Sequence, residues 1–285
     1  MVDARRAETW EDAVLWLRSQ PEKRQLVLDA FYDDPLREAA ERYFCSAEWQ
    51  AVLKFLQDRT GKALDVGAGR GIASYALARS GFAVTALEPD PSAVVGAAAI
   101  RRLAAEDRLP IEVVEEFSER LPFADGTFDV VFARAVLHHM RDLGTACREM
   151  FRALRPGGIL IAAREHVISK ESDLAKFLDQ HPLHHLYGGE HAYLLDRYTG
   201  ALRDAGFADI DVLAPLKSPI NLFPYTSETL RTAVVERLSR KIPVKPVWRA
   251  AFASESFFKL LLSLAERFDH RPGRLYSFVC HKAQT

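Results

Sequence analysis

The sequence predicts an α/β fold, a mostly parallel sheet with helices on both faces. Two observations carry that reading. From Lys62 onward, short and almost wholly apolar runs alternate with helical stretches. Strands buried on both faces read as continuous apolar runs, and helices between them make the connections parallel. The second observation is the turn LDVGAGRG, Leu64 to Gly71, where three glycines follow the first apolar run and open a helix.

The first sixty residues read as helices. Trp10, Ala13, Val14 and Leu17 recur at i, i+3, i+4, i+7, one face of a helix. Asp34-Pro35 reads as an N-cap followed by proline at the first helical position, with Leu36, Ala39, Ala40 and Tyr43 along one face. Ser46 caps the next helix, which carries Trp49, Val52, Leu53 and Leu56. A segment this helical ahead of a strand pattern reads as an appended cap, residues 1–59. Its start, MVDARRAETWEDAV, lacks the apolar core of a secretory leader.

The strands follow as KALDV, FAVTAL, IEVV, FDVVFA and GILIAA. Helices are expected from Arg70 to Ser80, after Asp90-Pro91, and from about Thr145 to Leu154. Gly81 sits where a helix stops in a left-handed residue. Arg155-Pro156-Gly157-Gly158 is expected to end its helix and turn the chain into a strand. Leu195 to Ala205 reads as a helix closed by Gly206, FADIDVL as a strand and RLYSFVCHKA as the last one. The helical stretch Pro215 to Gly273 between those two strands is too long for a connection and reads as an insertion with a task of its own.

Composition narrows the partners. The 285 residues carry a formal net charge of −1, which gives no global field for nucleic acid or an anionic membrane. Cys45, Cys147 and Cys280 lie far apart with no CxxC pair, so no disulfide framework or zinc ribbon is suggested and a cytoplasmic location is expected. The run FFKLLLSLA is too short to span a bilayer and is interrupted by Lys259.

Three glycines in the turn allow close approach by a ligand, and a Cβ there would hinder it or strain the turn. A dinucleotide fingerprint needs Gly or Ala where Ile72 stands, and a phosphate loop needs a Lys-Ser/Thr that does not follow. Asp65, at the strand end, repels a pyrophosphate and suits an ammonium or sulfonium. Glu88 ends the second strand, where an acid accepts hydrogen bonds from ribose hydroxyls. Either acid alone could merely cap a turn or helix. Together at sheet-end spacing they point to a cationic, adenosine-containing ligand, and S-adenosyl-L-methionine fits.

LDVGAGRG, VTALEPD, ERLPFADGTFDVVFARAVLHHM and REMFRALRPGGILIA, in this order, resemble the class I S-adenosylmethionine-dependent methyltransferases. The likeness runs from about Lys62 to Ala163 and is nearest the small-molecule branch with the ubiquinone and sterol methyltransferases. It implies a Rossmann-like, seven-stranded, mostly parallel sheet with an antiparallel last strand. The catalytic domain is then expected over 60–285; beyond the span of the likeness, a substrate loop is expected at 164–194, and the helical insertion at 215–273 stands on its length alone. Carried over by position, Asp65, Gly67, Ala68 and Gly69 would cradle the methionine end. Glu88 would bind the ribose and Pro89 the adenine edge. Ala133 and Arg134 would offer backbone carbonyls to the ammonium. The usual Gly-Asp pair before LPF is replaced by Glu116-Phe117-Ser118. Either Phe117 stacks on adenine beside the Ser118 amide, or Glu116 takes the acidic role; Phe117 and Ser118 are the preferred reading.

Methyl transfer needs the acceptor held in line with the sulfonium, and a hydroxyl acceptor benefits from a base. His138 and His139 follow the fourth strand, and Glu165 and His166 the fifth, both at the carboxyl edge where ligands lie. A histidine also serves well as a buried donor. The loop HPLHHLYGGEH, His181 to His191, holds four histidines and Glu190, but the spacing matches no zinc signature. It reads as a metal-free substrate loop, with His185, Tyr187 and His191 as candidate acceptor contacts. Arg231, Arg237, Arg240, Lys241, Lys245 and Arg249 give the insertion a basic character that favours an anionic acceptor, or simply a solvated helix face. Trp248, Phe252, Phe257 and Phe258, with Phe223 and Tyr225, read as core of the insertion.

The expected function is methylation of a small-molecule acceptor, on oxygen or nitrogen more than carbon. One rival is a non-catalytic scaffold or S-adenosylmethionine sensor, against which the intact Gly67, Gly69 and Glu88 speak. A nucleic-acid or protein methyltransferase ranks lower, because ARAVLHH stands where an Asn/Asp-Pro-Pro-Tyr-type motif would.

Overall fold

A computed structural model describes residues 9–242 and 244–284. The first eight residues, on which part of the leader and cap readings rests, lie outside the described residues.

Four helices come first: α1 (Trp10–Ser19), α2 (Arg24–Asp29), α3 (Leu36–Phe44) and α4 (Ala47–Leu56). The Ser46 hydroxyl accepts from Trp49 N at 3.1 Å, as its position before α4 predicts. Asp34 does not cap α3. That helix starts at Leu36 behind Pro35, and the Asp34 carboxylate pairs with Arg18 and Arg70 instead. Two guanidinium partners outcompete a backbone cap for one carboxylate.

The alternating part follows: β1 (Gly61–Val66), α5 (Ile72–Arg79), β2 (Phe82–Leu87), α6 (Ala97–Asp107), β3 (Ile111–Val114), β4 (Phe128–Arg134), α7 (Leu143–Ala153) and β5 (Leu154–Ile168). Then come α8 (Asp173–Gln180), β6 (Tyr193–Leu194), α9 (Leu195–Ala205) and β7 (Asp209–Leu213). The segment before the last strand holds α10 (Pro219–Leu222), α11 (Ser227–Lys241), α12 (Lys245–Ala251) and α13 (Glu255–Arg267), and β8 (Arg274–His281) closes the sheet.

Two boundaries differ from the sequence reading. α6 opens at Ala97, not at Pro91, because residues 90–96 form a turn that closes on Asp90: Ala97 N donates to its carbonyl at 2.7 Å and Ser92 N to its carboxylate at 2.8 Å. RPGG does not separate α7 from its strand. β5 already starts at Leu154, opposite Phe128, and bulges before Ile159 pairs with Val130. Gly157 N reaches the carbonyls of Lys282 and Ala283, which holds the bulge on the sheet.

The strand order is β3-β2-β1-β4-β5-β8-β7, with β6 beside β5 as a short eighth strand. β3, β2, β1, β4 and β5 run parallel, and β8 is antiparallel to both its neighbours. The expected parallel centre and antiparallel last strand are both present. The chain winds outward from β1 to β3, then returns to β4. That reversal opens a crevice at the carboxyl ends of β1 and β4.

One face of the sheet packs α7 and α9, through residues such as Met150, Tyr198 and Leu202. The other packs the N-terminal helices: Phe31, Tyr43 and Trp49 cover Phe132, Ile159 and Ile161, joined by Ile220 of α10. Phe223 stacks on Phe31 at 5.1 Å, so it belongs to this core and not to the insertion. Among the described residues, α11 to α13 share a small core around Val235, Phe252 and Phe258.

Trp49 is fully buried between α4 and the sheet. Trp49→Ala is expected to cost about 3–5 kcal/mol in urea unfolding. A loss below about 1 kcal/mol would show that the N-terminal helices are not part of the main core.

Candidate active site

The glycine turn lies directly after β1. Gly67 and Gly69 have φ of +63° and +54°, where a side chain is strained. A Cβ on Gly67 would also come within 2.2 Å of Val136 Cγ2, whereas one on Gly69 meets nothing closer than 4.0 Å. The Gly69 side of the turn is therefore open to the crevice. Gly67 N and Ala68 N donate to Leu87 O at 2.9 and 3.1 Å, which ties the turn to the end of β2.

Two carboxylates flank it. Glu88 accepts from Gly69 N at 2.7 Å and from Asp90 N at 2.9 Å. Asp65 is buried and accepts from the Ser74 hydroxyl at 2.6 Å. Burial pushes Asp65 up to about 7, with Ser74 opposing the rise and Glu88 adding to it. Burial likewise lifts Glu88 to about 7, against the two backbone donors. Two carboxylates held this far above the usual range near 4 form a site that a cation relieves.

A cleft of about 560 Å³ runs from this turn across the carboxyl ends of β4 and β5. Gly67, Gly69, Glu88, Pro89 and Arg134 line it at the turn end; Asp65 and Ala68 line a recess of about 180 Å³ that shares Gly67, Gly69 and Arg134 with it. Ala133 is buried in β4 beneath. Phe117 and Ser118 do not line the cleft. Phe117 is 62% exposed, its N–H donating to Glu116 at 2.9 Å, and the Ser118 hydroxyl donates to Glu119 at 3.2 Å.

The Arg134 side chain has a task absent from the sequence reading. Its Nε and Nη2 donate to both oxygens of the fully buried Glu48 on α4, at 2.6 and 3.0 Å. Arg164 Nη1 lies 3.8 Å from the same carboxylate and donates to the carbonyls of Ile220 and Phe223. One buried acid thus anchors the N-terminal helices, β4, β5 and α10 together beside the cleft. The only sequence signal was an acid inside an otherwise apolar helix face.

The far end of the cleft is a histidine cage: His138, His139, His166, His181 and Glu190 all line it. Glu165 stands behind the cage, fully buried. It accepts from Val136 N, Leu137 N and His138 N at 3.1, 3.2 and 3.1 Å, and from His138 Nδ1 at 2.7 Å. That bond turns His138 Nε2 towards Glu190, 3.6 Å away. Burial alone lowers the His138 pKa, but Glu165 and Glu190 outweigh it and raise it to about 9. His166 donates from Nδ1 to Gly273 O at 3.1 Å, and burial, helped by the charge on His138, drives it down to about 3.

The loop 181–191 contributes other residues than expected. Tyr187 lines the cleft and packs against Trp10 at 5.7 Å between ring centres. His185 donates to Asp179 O at 2.6 Å and His191 packs on Tyr193; neither lines the cleft. His181 and Glu190 face it instead. The basic run of the insertion also lies away from the cleft lining, with Arg231 paired to Glu255 and Lys245 near Glu236.

Residues 64–162 match the methyltransferase domain family. This central stretch is therefore a methyltransferase domain by similarity, in agreement with the resemblance read from its motifs. It is 32% identical over 161 residues to a ubiquinone biosynthesis O-methyltransferase of Methylobacterium nodulans, a match covering 55% of this chain and 64% of that one. It is 34% identical over 151 residues to the Caulobacter vibrioides protein of the same name, covering 50% and 58%. The matched stretch therefore spans about three fifths of these relatives. Geranyl diphosphate C-methyltransferase from Streptomyces coelicolor superposes with a TM-score of 0.57 at 14% identity, over 82% of this chain and 76% of that one. At that identity it shares the methyltransferase fold alone.

Removing the anchor should be costly. Glu48→Ala leaves two half-buried guanidinium groups near each other without their carboxylate, and a loss of about 3 kcal/mol is expected in chemical denaturation. Wild-type stability in this variant would show that the arginines find other partners.

Proposed function

We propose that this protein transfers the methyl group of S-adenosylmethionine to a hydroxyl oxygen of a small-molecule acceptor. The observation that supports it most is one cleft with two chemically distinct ends: a bare glycine turn between two buried carboxylates, and a histidine cage. The names of the curated relatives favour oxygen as the atom methylated.

The cofactor, when bound, supplies the methyl group and its leaving group. This chain's residues bind and orient. The Gly67–Gly69 backbone and Asp65 would receive the methionine end, with the Ala133 and Arg134 carbonyls facing its ammonium. Glu88 would exchange its bond to Gly69 N–H for the ribose hydroxyls. Pro89 would pack on the adenine edge, and exposed Phe117, beside Ser118, would close over the ring.

At the other end, charged His138 would draw the acceptor oxygen towards its anionic form. A neutral imidazole, His166 or His139, would accept the proton; a positioned base contributes about 10² to 10⁴-fold. Glu165 acts through His138, as a positioning residue. Arg134 and Arg164 against the single charge of Glu48 leave one positive charge beside the cleft, which supports an anionic or anion-forming acceptor. Trp10, Tyr32, Leu183 and Tyr187 supply apolar lining for its body. Tyr187 is the loop contact we retain; His185 and His191 would engage an acceptor only after the loop rearranges.

We assign residues 1–59 as the cap and 60–285 as the catalytic domain, with the loop 164–194 and the insertion 215–273 setting acceptor choice. Among the described residues no helix is long and apolar enough to cross a membrane. The free thiols of Cys45, Cys147 and Cys280 accord with work in a reducing cytoplasm. A near-neutral chain accords with a small-molecule partner over nucleic acid.

Two expectations test this. Asp65 and Glu88 must be ionised to hold a cation, and both sit near 7 when the cleft holds none. Calorimetric affinity for S-adenosylmethionine should therefore be about tenfold higher at pH 8 than at pH 6. For the ligand-free protein the sign is opposite: folded pKa values above the usual range give stability that is complete below about pH 4 and lost as pH rises through 7. Equal affinity at both pH values would remove the carboxylate pair from the cofactor site. In the second test, Glu165→Gln and His166→Ala should lower turnover on a hydroxyl-bearing acceptor at least about 10²-fold while leaving cofactor affinity within about twofold. Turnover near wild type in both would place the proton transfer elsewhere.

A further inference from the structure

We propose that His138, His139, His166, His181 and Glu190 form a site for one divalent transition-metal ion, of the zinc, iron or cobalt kind, at the acceptor end of the cleft. The site itself stands on the geometry of the cage; what the ion would do there rests on the methyltransferase reading above.

The spacing comes first. Glu190 Oε2 lies 3.6 Å from His138 Nε2 and 3.8 Å from His139 Nε2, and its Oε1 lies 3.8 Å from His181 Nδ1. One atom each from His138, His139 and Glu190 falls within 4.8 Å of the others, and the same holds for His166, His181 and Glu190. These separations are too long for hydrogen bonds. They are close to the spacing of ligand atoms around an ion whose bonds are about 2.0–2.2 Å, which sit about 3.3–3.6 Å apart in a tetrahedron. Glu190 belongs to both groups, so an ion beside its carboxylate takes its histidines from one group or the other and not from all four rings at once.

Metal-binding histidines are held by a bond from the nitrogen that does not face the ion. Here His138 Nδ1 donates to Glu165 at 2.7 Å, His139 Nδ1 to Gly189 O at 3.0 Å and His166 Nδ1 to Gly273 O at 3.1 Å. Three imidazoles from two strand ends are thus locked with Nε2 as the nitrogen left to bind, and an ion taken up by His138 displaces the Nε2 proton that this ring carries when no ion is bound. His181 Nδ1 is buried without a hydrogen-bond partner and faces Glu190. A proton acceptor needs one such nitrogen, and this cage sets two pairs of them around one carboxylate.

The donor set selects the ion. Imidazole nitrogens with one carboxylate suit zinc, iron and cobalt; magnesium and calcium want oxygen ligands. An ion here would lower the pKa of an acceptor hydroxyl bound to it, the same task the histidine base performs without one.

The test uses the full-length protein, stripped with a chelator and titrated with Co²⁺ by visible absorption and with Zn²⁺ by competition. One ion per chain and a cobalt spectrum of nitrogen ligation are expected. His166→Ala and His181→Ala should each weaken binding at least about tenfold, and so should Glu165→Gln, which touches no ion and acts only by orienting His138. His181→Ala lies on a surface loop and serves if His166→Ala does not fold. A featureless cobalt titration, or variants that bind as tightly as wild type, would overturn the site. S-adenosylmethionine is titrated in parallel. Metal binding without cofactor binding leaves the site and removes the methyltransferase reading; cofactor binding without metal binding does the reverse.

Discussion

A carboxylate with no water around it must find its donors in the protein, and Glu165 meets that demand with four. Three are the successive backbone N–H groups of Val136, Leu137 and His138, and the fourth is the His138 ring. The turn that follows β4 is therefore wrapped around a residue of β5. Its direction, the tautomer of His138 and the aim of Nε2 into the cleft all follow from that one set of bonds. A buried acid left unpaired costs several kcal/mol, so this turn has little freedom to relax.

Glu48 imposes the same constraint on the other side of the sheet. It comes from the N-terminal helices and accepts from Arg134 of β4, with Arg164 of β5 close by. Arg164 in turn reaches the carbonyls around α10. The parts added before and after the alternating β–α pattern are thus joined to it by charge at the cleft as well as by Phe31, Trp49 and Ile220 in the core. Hydrophobic burial alone would fix these helices on the sheet but not their rotation. The directed ion pairs do that, because an arginine fork accepts a carboxylate in few geometries.

The two ends of the cleft use burial in opposite ways. At the glycine turn it raises acids, which makes a resting site that gains from a cation. In the cage it lowers His166 and His139 while two carboxylates hold His138 charged. Neutral and charged imidazoles lie side by side only because Glu165 and Glu190 sit against one ring. This is a division of labour between identical side chains, set by which carboxylate each one touches.

Much of this was legible from residues alone. Apolar runs alternating with helical periods require a parallel sheet, and the Gly67–Gly69 turn with Asp65 and Glu88 at adjacent strand ends marks the crevice, because strand order and local turn chemistry are near-neighbour properties. The histidines after the fourth strand were visible for the same reason; Glu165 and His166 were expected after the fifth strand but lie within it, because pairing with β8 carries β5 on to Ile168. Pairings between distant segments were not visible. Glu48 reads as one more polar residue in a helix until α4 is laid on β4. Phe117 stands in a family position but points outward beyond β3. His181 and Glu190 line the cleft whereas His185 and His191 do not, and no spacing within eleven residues reveals which side chains of a loop face inward. The cage draws its groups from two strand ends and a loop, so its pattern exists only in space: charge and orientation there are decided by through-space contacts that a linear period cannot encode.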